Sequence, residues 1–69
     1  MLDDLNQLLQ EYRQYRKSQK GNEGLFREVY IEAGQFWCRS NKVSIVYWVG
    51  DTPGQVITWI ELMRELCDE

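Results

Sequence analysis

Sixty-nine residues with a net charge of −3, from eight basic and eleven acidic side chains, allow one domain and exert no overall pull toward nucleic acid or an anionic membrane. The absence of histidine removes the commonest general base and metal ligand. Nine aromatic residues (three Trp, four Tyr, two Phe) raise the apolar area a chain this short can bury, at roughly 1.5 to 3 kcal/mol per large side chain.

The first element is a helix from about residue 2 to about residue 18. Leu2, Leu5, Leu9 and Tyr12, with Leu8 and Tyr15 beside them, recur at three- and four-residue steps and share one stripe. Asp3 and Asp4 open it, and Arg13, Arg16, Lys17 and Lys20 close it, each sign complementing the helix dipole. This basic end is the one cationic cluster in the chain, and a solvated helix end accounts for it. The start, MLDDLNQLLQEY, has acids where a secretory signal has bases, and no segment approaches ~20 apolar residues, so a soluble, cytoplasmic protein without a membrane partner is expected. Gly21-Asn22-Glu23-Gly24 reads as a loop.

From Leu25 to Gly50 the chain is dominated by β-branched and aromatic residues and broken twice, at Ala33-Gly34 and Asn41-Lys42. Three antiparallel strands joined by two-residue turns are expected. Counting outward from the first turn opposes Ile31 to Phe36, Tyr30 to Trp37, Val29 to Cys38 and Glu28 to Arg39. Counting from the second opposes Ser40 to Val43, Cys38 to Ile45, Trp37 to Val46 and Phe36 to Tyr47. Opposed residues share a face. One face therefore collects Leu25, Val29, Ile31, Phe36, Cys38, Val43, Ile45, Tyr47 and Val49, with Arg27 its only charge. The other collects Phe26, Glu28, Tyr30, Glu32, Trp37, Arg39, Ser44, Val46 and Trp48, aromatics set among charges. A three-residue loop with a bulge at Gly34 would instead move the first strand's side chains to the opposite face. The unshifted register opposes Glu28 to Arg39 and keeps polar and apolar residues apart.

Thr52-Pro53-Gly54-Gln55 is a helix start, with Thr52 as N-cap, Pro53 at the first helical position and Gln55 at the third. It lacks the Lys-Ser/Thr pair of a phosphate loop. Val56, Ile60, Met63 and Cys67 form the buried stripe, widened by Ile57, Trp59 and Leu66, while Trp59 falls at its margin, in the core's edge or an interface. Cys38 and Cys67 have no Cys or His at metal-ligand spacing and are expected to be buried, reduced thiols. Glu28 and Glu32 project from one strand, yet beside Arg39 they read as cross-strand charges rather than an acid-base pair.

The expected fold is α+β, one domain over residues 1–69: a three-stranded antiparallel sheet with both helices on one face, in the order α-β-β-β-α. In order and size it is similar to the double-stranded-RNA-binding domain. That family's last helix begins with a lysine cluster, whereas Thr52, Pro53, Gly54 and Gln55 carry no charge here, so the family's functional residues are not carried over.

Two amphipathic helices need a common apolar surface, which leaves the Tyr30/Trp37/Trp48 face uncovered. The expected function is a small non-enzymatic protein-interaction module, without cofactor or metal, binding another protein or a second copy of itself through Phe26, Glu28, Tyr30, Trp37, Arg39, Val46 and Trp48. The alternative is single-stranded nucleic acid stacked on Tyr30, Trp37 and Trp48, with Arg39, Lys42 and the basic helix end on its backbone. A third reading has the loop at 18 to 24 partly covering this face and binding elsewhere.

Overall fold

In the computed structural model, which describes residues 1–42 and 44–68 (for Asp68 the backbone alone), the chain runs α1 (Leu2–Lys20), β1 (Phe26–Glu32), β2 (Gln35–Ser40), β3 (Val46–Gly50) and α2 (Pro53–Asp68). The expected order α-β-β-β-α is the observed one. The strands form one antiparallel sheet in the order β1-β2-β3. α1 packs on β1, α2 on β3, and the helices on each other, so both cover the same face.

The Leu5, Leu9 and Tyr12 stripe of α1 is buried, and so are Val56 and Ile60 of α2. They close on Val29, Phe36, Cys38 and Val49 from the sheet to make a single core. α1 runs two residues further than its pattern predicts, to Lys20, and stops where Gly21 takes a left-handed φ of 82° and donates its N–H to the Lys17 carbonyl. At the start of α2, Gln55 N–H donates to Thr52 Oγ1 at 3.3 Å, while Gln55 Oε1 accepts from the Asp51 N–H. This is the expected capping box with its return bond reaching one residue further back. It presses on the end of β3: a Cβ on Gly50 would stand 2.8 Å from the Gln55 Cβ, so glycine there allows the strand to turn directly into the helix.

The β1/β2 register is the expected one, Glu28 to Arg39 through Glu32 to Gln35, around a tight turn with Ala33 at φ 53° and Gly34 at φ 72°. Two positive φ values are what a two-residue primed turn requires. The β2/β3 register differs from expectation by two residues: Cys38 opposes Tyr47 rather than Ile45, and Trp37 opposes Trp48 rather than Val46. The connection is longer than Asn41-Lys42 alone. Ser40 N–H donates to the Ile45 carbonyl, Ser40 Oγ bridges the Lys42 N–H and C=O, and Ser44 takes a φ of 68°. Asn41 is drawn out of the hairpin, with its N–H on the Leu25 carbonyl and its side chain on the Gly24 carbonyl. Because this slip is even, Val46, Tyr47 and Trp48 keep their faces, and a further irregularity between Trp37 and Phe36 sets Phe36 opposite Gly50 instead of the expected Tyr47. Val43, expected opposite Ser40, lies outside the described residues.

Candidate functional site: the open aromatic face

Away from the helices, the register aligns Tyr30 on β1, Trp37 on β2 and Trp48 on β3 as a row across the sheet. The adjacent row is Glu28, Arg39 and Val46. Six of the seven residues expected to form the site are thus brought together. Their side chains touch directly: Arg39 Nε meets Glu28 Oε1 at 2.8 Å, and the Arg39 guanidinium lies 4.3 Å from the Tyr30 ring centroid. One cation is therefore shared between a carboxylate and an aromatic face, which fixes it against the sheet. Trp37 is held by its indole N–H, which donates to the Glu32 carbonyl at 3.1 Å. Trp48 and Val46 have no such tether among the described contacts and are 50% and 44% exposed.

Phe26, the seventh expected residue, is on the other side. A bulge between Phe26 and Glu28 places Arg27 as the extra residue and pairs Phe26 with the buried Ser40. The Phe26 ring is thereby turned toward the helices, edge-on to Tyr47 at 5.3 Å and to Trp59 at 4.8 Å. Strand alternation counts every residue once, so it assigns Phe26 the wrong face. The same bulge removes the apparent charge on the apolar face, because Arg27 is exposed and contributes its carbonyl to Gln10 and Arg13. Three residues on the helix side, Ile31, Ile45 and Tyr47, lie near the sheet's margins and stay partly exposed instead of joining the core. Trp59 is half-buried at the margin of the core, as its position on the α2 stripe predicts.

The loop from Gly21 to Leu25 makes its contacts toward α1 and the β2/β3 connection. Asn22 Oδ1 accepts from Arg16 and from the Gly24 N–H, Glu23 pairs with Arg13 at 2.7 Å, and Gly24 accepts from Asn41. These partners belong to the helix layer and the far connection, not to the row of rings.

Asn6 is the polar residue that the sequence pattern passes over. Its side-chain amide pairs with both backbone groups of Val29: Nδ2 donates to the carbonyl at 2.9 Å and Oδ1 accepts from the N–H at 2.7 Å. Gln10 continues the series with a bond to the Arg27 carbonyl at 2.9 Å. An outer strand presents unpaired backbone, and here α1 supplies partners for β1 at Val29 and Arg27. The clue in the sequence is faint: Asn6 and Gln10 are four residues apart beside the leucine stripe.

Cys38 and Cys67 are both buried free thiols. Burial pushes the Cys38 thiol from 9.0 up to about 12, against smaller lowering effects of a backbone hydrogen bond at Glu28 and the charge of Arg13. Such a thiol is a core side chain and not a nucleophile at neutral pH. No helix among the described residues is long and apolar enough to cross a membrane. No family model, curated protein or solved structure matches this chain.

Proposed function

We propose that the chain is a small non-enzymatic interaction module of the cytoplasm that docks another protein on the open face of its sheet. The observation that carries this reading is the row Tyr30–Trp37–Trp48, three rings aligned by register on a face that neither helix covers. Trp37, tethered by its indole N–H, and Tyr30, capped by Arg39, lose little freedom on binding, and aromatics together with arginine are the side chains that concentrate binding energy at interfaces. Trp48 is the exposed anchor, Trp37 and Tyr30 are its fixed neighbours, and Glu28, Glu32 and Arg39 form the polar rim. The partner surface that complements it is an apolar ridge with a basic residue set opposite Glu32, since Glu28 is already paired with Arg39.

Stacked nucleic acid is the weaker reading on the same geometry. Arg39, the cation among the rings, is engaged by Glu28 and Tyr30. Of the basic residues of α1, Arg13 and Arg16 are bound to Glu23 and Asn22, and the helix itself lies across the sheet from the rings. A strand stacked on Trp37 and Trp48 would find acidic neighbours where its phosphates need cations.

The test is capture on immobilised wild-type chain, followed by titration of the purified captured protein against wild type and Trp48→Ala. Loss of a central anchor is expected to weaken affinity by about thirtyfold, near 2 kcal/mol, while the variant's unfolding midpoint stays at the wild-type value. Equal affinity for both chains contradicts the assignment.

A further inference from the structure

The two outer strands of the sheet are finished differently. Along β1, Asn6 and Gln10 of α1 occupy the outward backbone groups of Val29 and Arg27. On β3 the outward groups can be read from the ladder. The Ser40 N–H donates to the Ile45 carbonyl, and hydrogen-bonded pairs recur every second residue in an antiparallel ladder, so Cys38 and Tyr47 form the next such pair. Val46 and Trp48 therefore direct their N–H and C=O away from β2. No side chain among the described hydrogen bonds meets them.

The surroundings of this edge are apolar. From Val43 to Gly50 the sequence holds no charged residue and no proline, the features by which edge strands ordinarily refuse a neighbour. α2 adds to it. Arg64 lies over Tyr15 of α1 at 4.5 Å, which marks the side of α2 that faces α1. Leu62 lies roughly 160° away about the helix axis, on the side of α2 turned from α1, where it is 52% exposed. Trp59 and Leu62 line a shallow hollow there with Thr58 and Gln55.

We infer that the β3 edge pairs with the β3 edge of a second copy, antiparallel about a two-fold axis at Tyr47, joining two three-stranded sheets into one of six strands. The choice of occupant follows from the chemistry of the edge. Outward N–H and C=O groups bounded by apolar side chains need hydrogen-bonding partners that only extended backbone supplies in register. Antiparallel pairing about Tyr47 sets Val46 opposite Trp48 of the second copy and Trp48 opposite its Val46. Each outward residue thus meets another outward residue, and both rungs exchange two hydrogen bonds. The same axis brings the Leu62 sides of the two α2 helices together above the new pairing. Val46 of each copy then stands beside Trp48 of the other on the open face, and the two Tyr47 rings stand side by side on the helix side, so apolar contact accompanies the backbone pairing on both faces. No charge on the strand opposes the approach of two chains of net charge −3. The pairing is independent of what docks on the open face, which it leaves open and doubles.

The test combines sedimentation with amide hydrogen exchange on the full chain between ~1 µM and ~1 mM. The expected result is a mass rising with concentration to twice the 8.3 kDa of one chain, with the Val46 and Trp48 amides slowing in step. Val46→Pro removes an outward N–H without touching the ladder to β2, and Leu62→Glu puts a charge at the axis from a different element. Each is expected to retain a cooperative unfolding transition while losing the concentration dependence of both readouts. A mass of one chain throughout overturns the inference, as does a doubled mass with the Val46 and Trp48 amides still exchanging freely. If Val46→Pro does not fold, Leu62→Glu decides: association equal to wild type overturns the inference, and its loss supports it.

Discussion

Cys38 shows how much a single strand position can carry. Its side chain points into the core between the sheet and both helices, and its backbone is one half of a hydrogen-bonded pair with Tyr47. With the thiol pushed up to about 12 by burial, the folded chain holds a proton that the unfolded chain releases near pH 9. The stabilisation from this group is complete below pH 9 and is lost as pH rises through 12, at up to ~1.4 kcal/mol per unit. Urea unfolding between pH 7 and 11 is expected to show wild type losing stability above pH 9 more steeply than Cys38→Ala, and parallel curves would contradict the buried thiol. Alternation along β2 was enough to put Cys38 inward, because that strand is regular through Cys38. It was not enough for Phe26, where the bulge at Arg27 spends one residue without advancing the pairing. A bulge is a backbone event, and neither Phe26 nor Arg27 is a residue type that announces one.

At the scale of elements, α1 does two separate jobs, and only one is written in its leucines. Leu5, Leu9 and Tyr12 fill the core, while Asn6 and Gln10 bind the backbone of β1 at Val29 and Arg27. The periodicity of the first job is legible in sequence, and the second needs the strand's position before it has meaning. Asn6→Ala leaves the Val29 N–H and C=O without partners in a partly buried site and is expected to cost about 1 to 3 kcal/mol in thermal or urea unfolding, with the Val29 amide exchanging faster. A loss under ~0.5 kcal/mol would mean that water serves those groups equally well. The β2/β3 connection failed to be legible for a related reason. Asn41-Lys42 has turn-forming chemistry, yet Asn41 is recruited by the carbonyls of Gly24, 17 residues away in sequence, and of Leu25 beside it. The faces survived because the slip is even, so Tyr47 and Trp48 kept their expected sides while exchanging partners.

For the molecule as a whole, the defining feature is a sheet with one covered face and one edge, β1, partly tied down by a helix. Both helices lie on one face, and one of them also binds the outward backbone of β1 at Val29 and Arg27. What is left is the Tyr30–Trp37–Trp48 row and the outer side of β3, which meet at Trp48. The fold class and the membership of the aromatic row, Phe26 apart, could be read from alternation and turn chemistry. The difference between the two edges could not, since it depends on side chains reaching backbone across the tertiary structure. The most direct measurement is the relaxation of the three tryptophan indole N–H signals by a soluble paramagnetic probe, at a dilution where the chain sediments as a single copy. An uncovered face predicts strong relaxation of Trp48, against weaker relaxation of Trp37, whose indole N–H is held by Glu32. A Trp48 signal as shielded as the core amides around Leu9 would show that the chain covers its own rings, and would contradict the account.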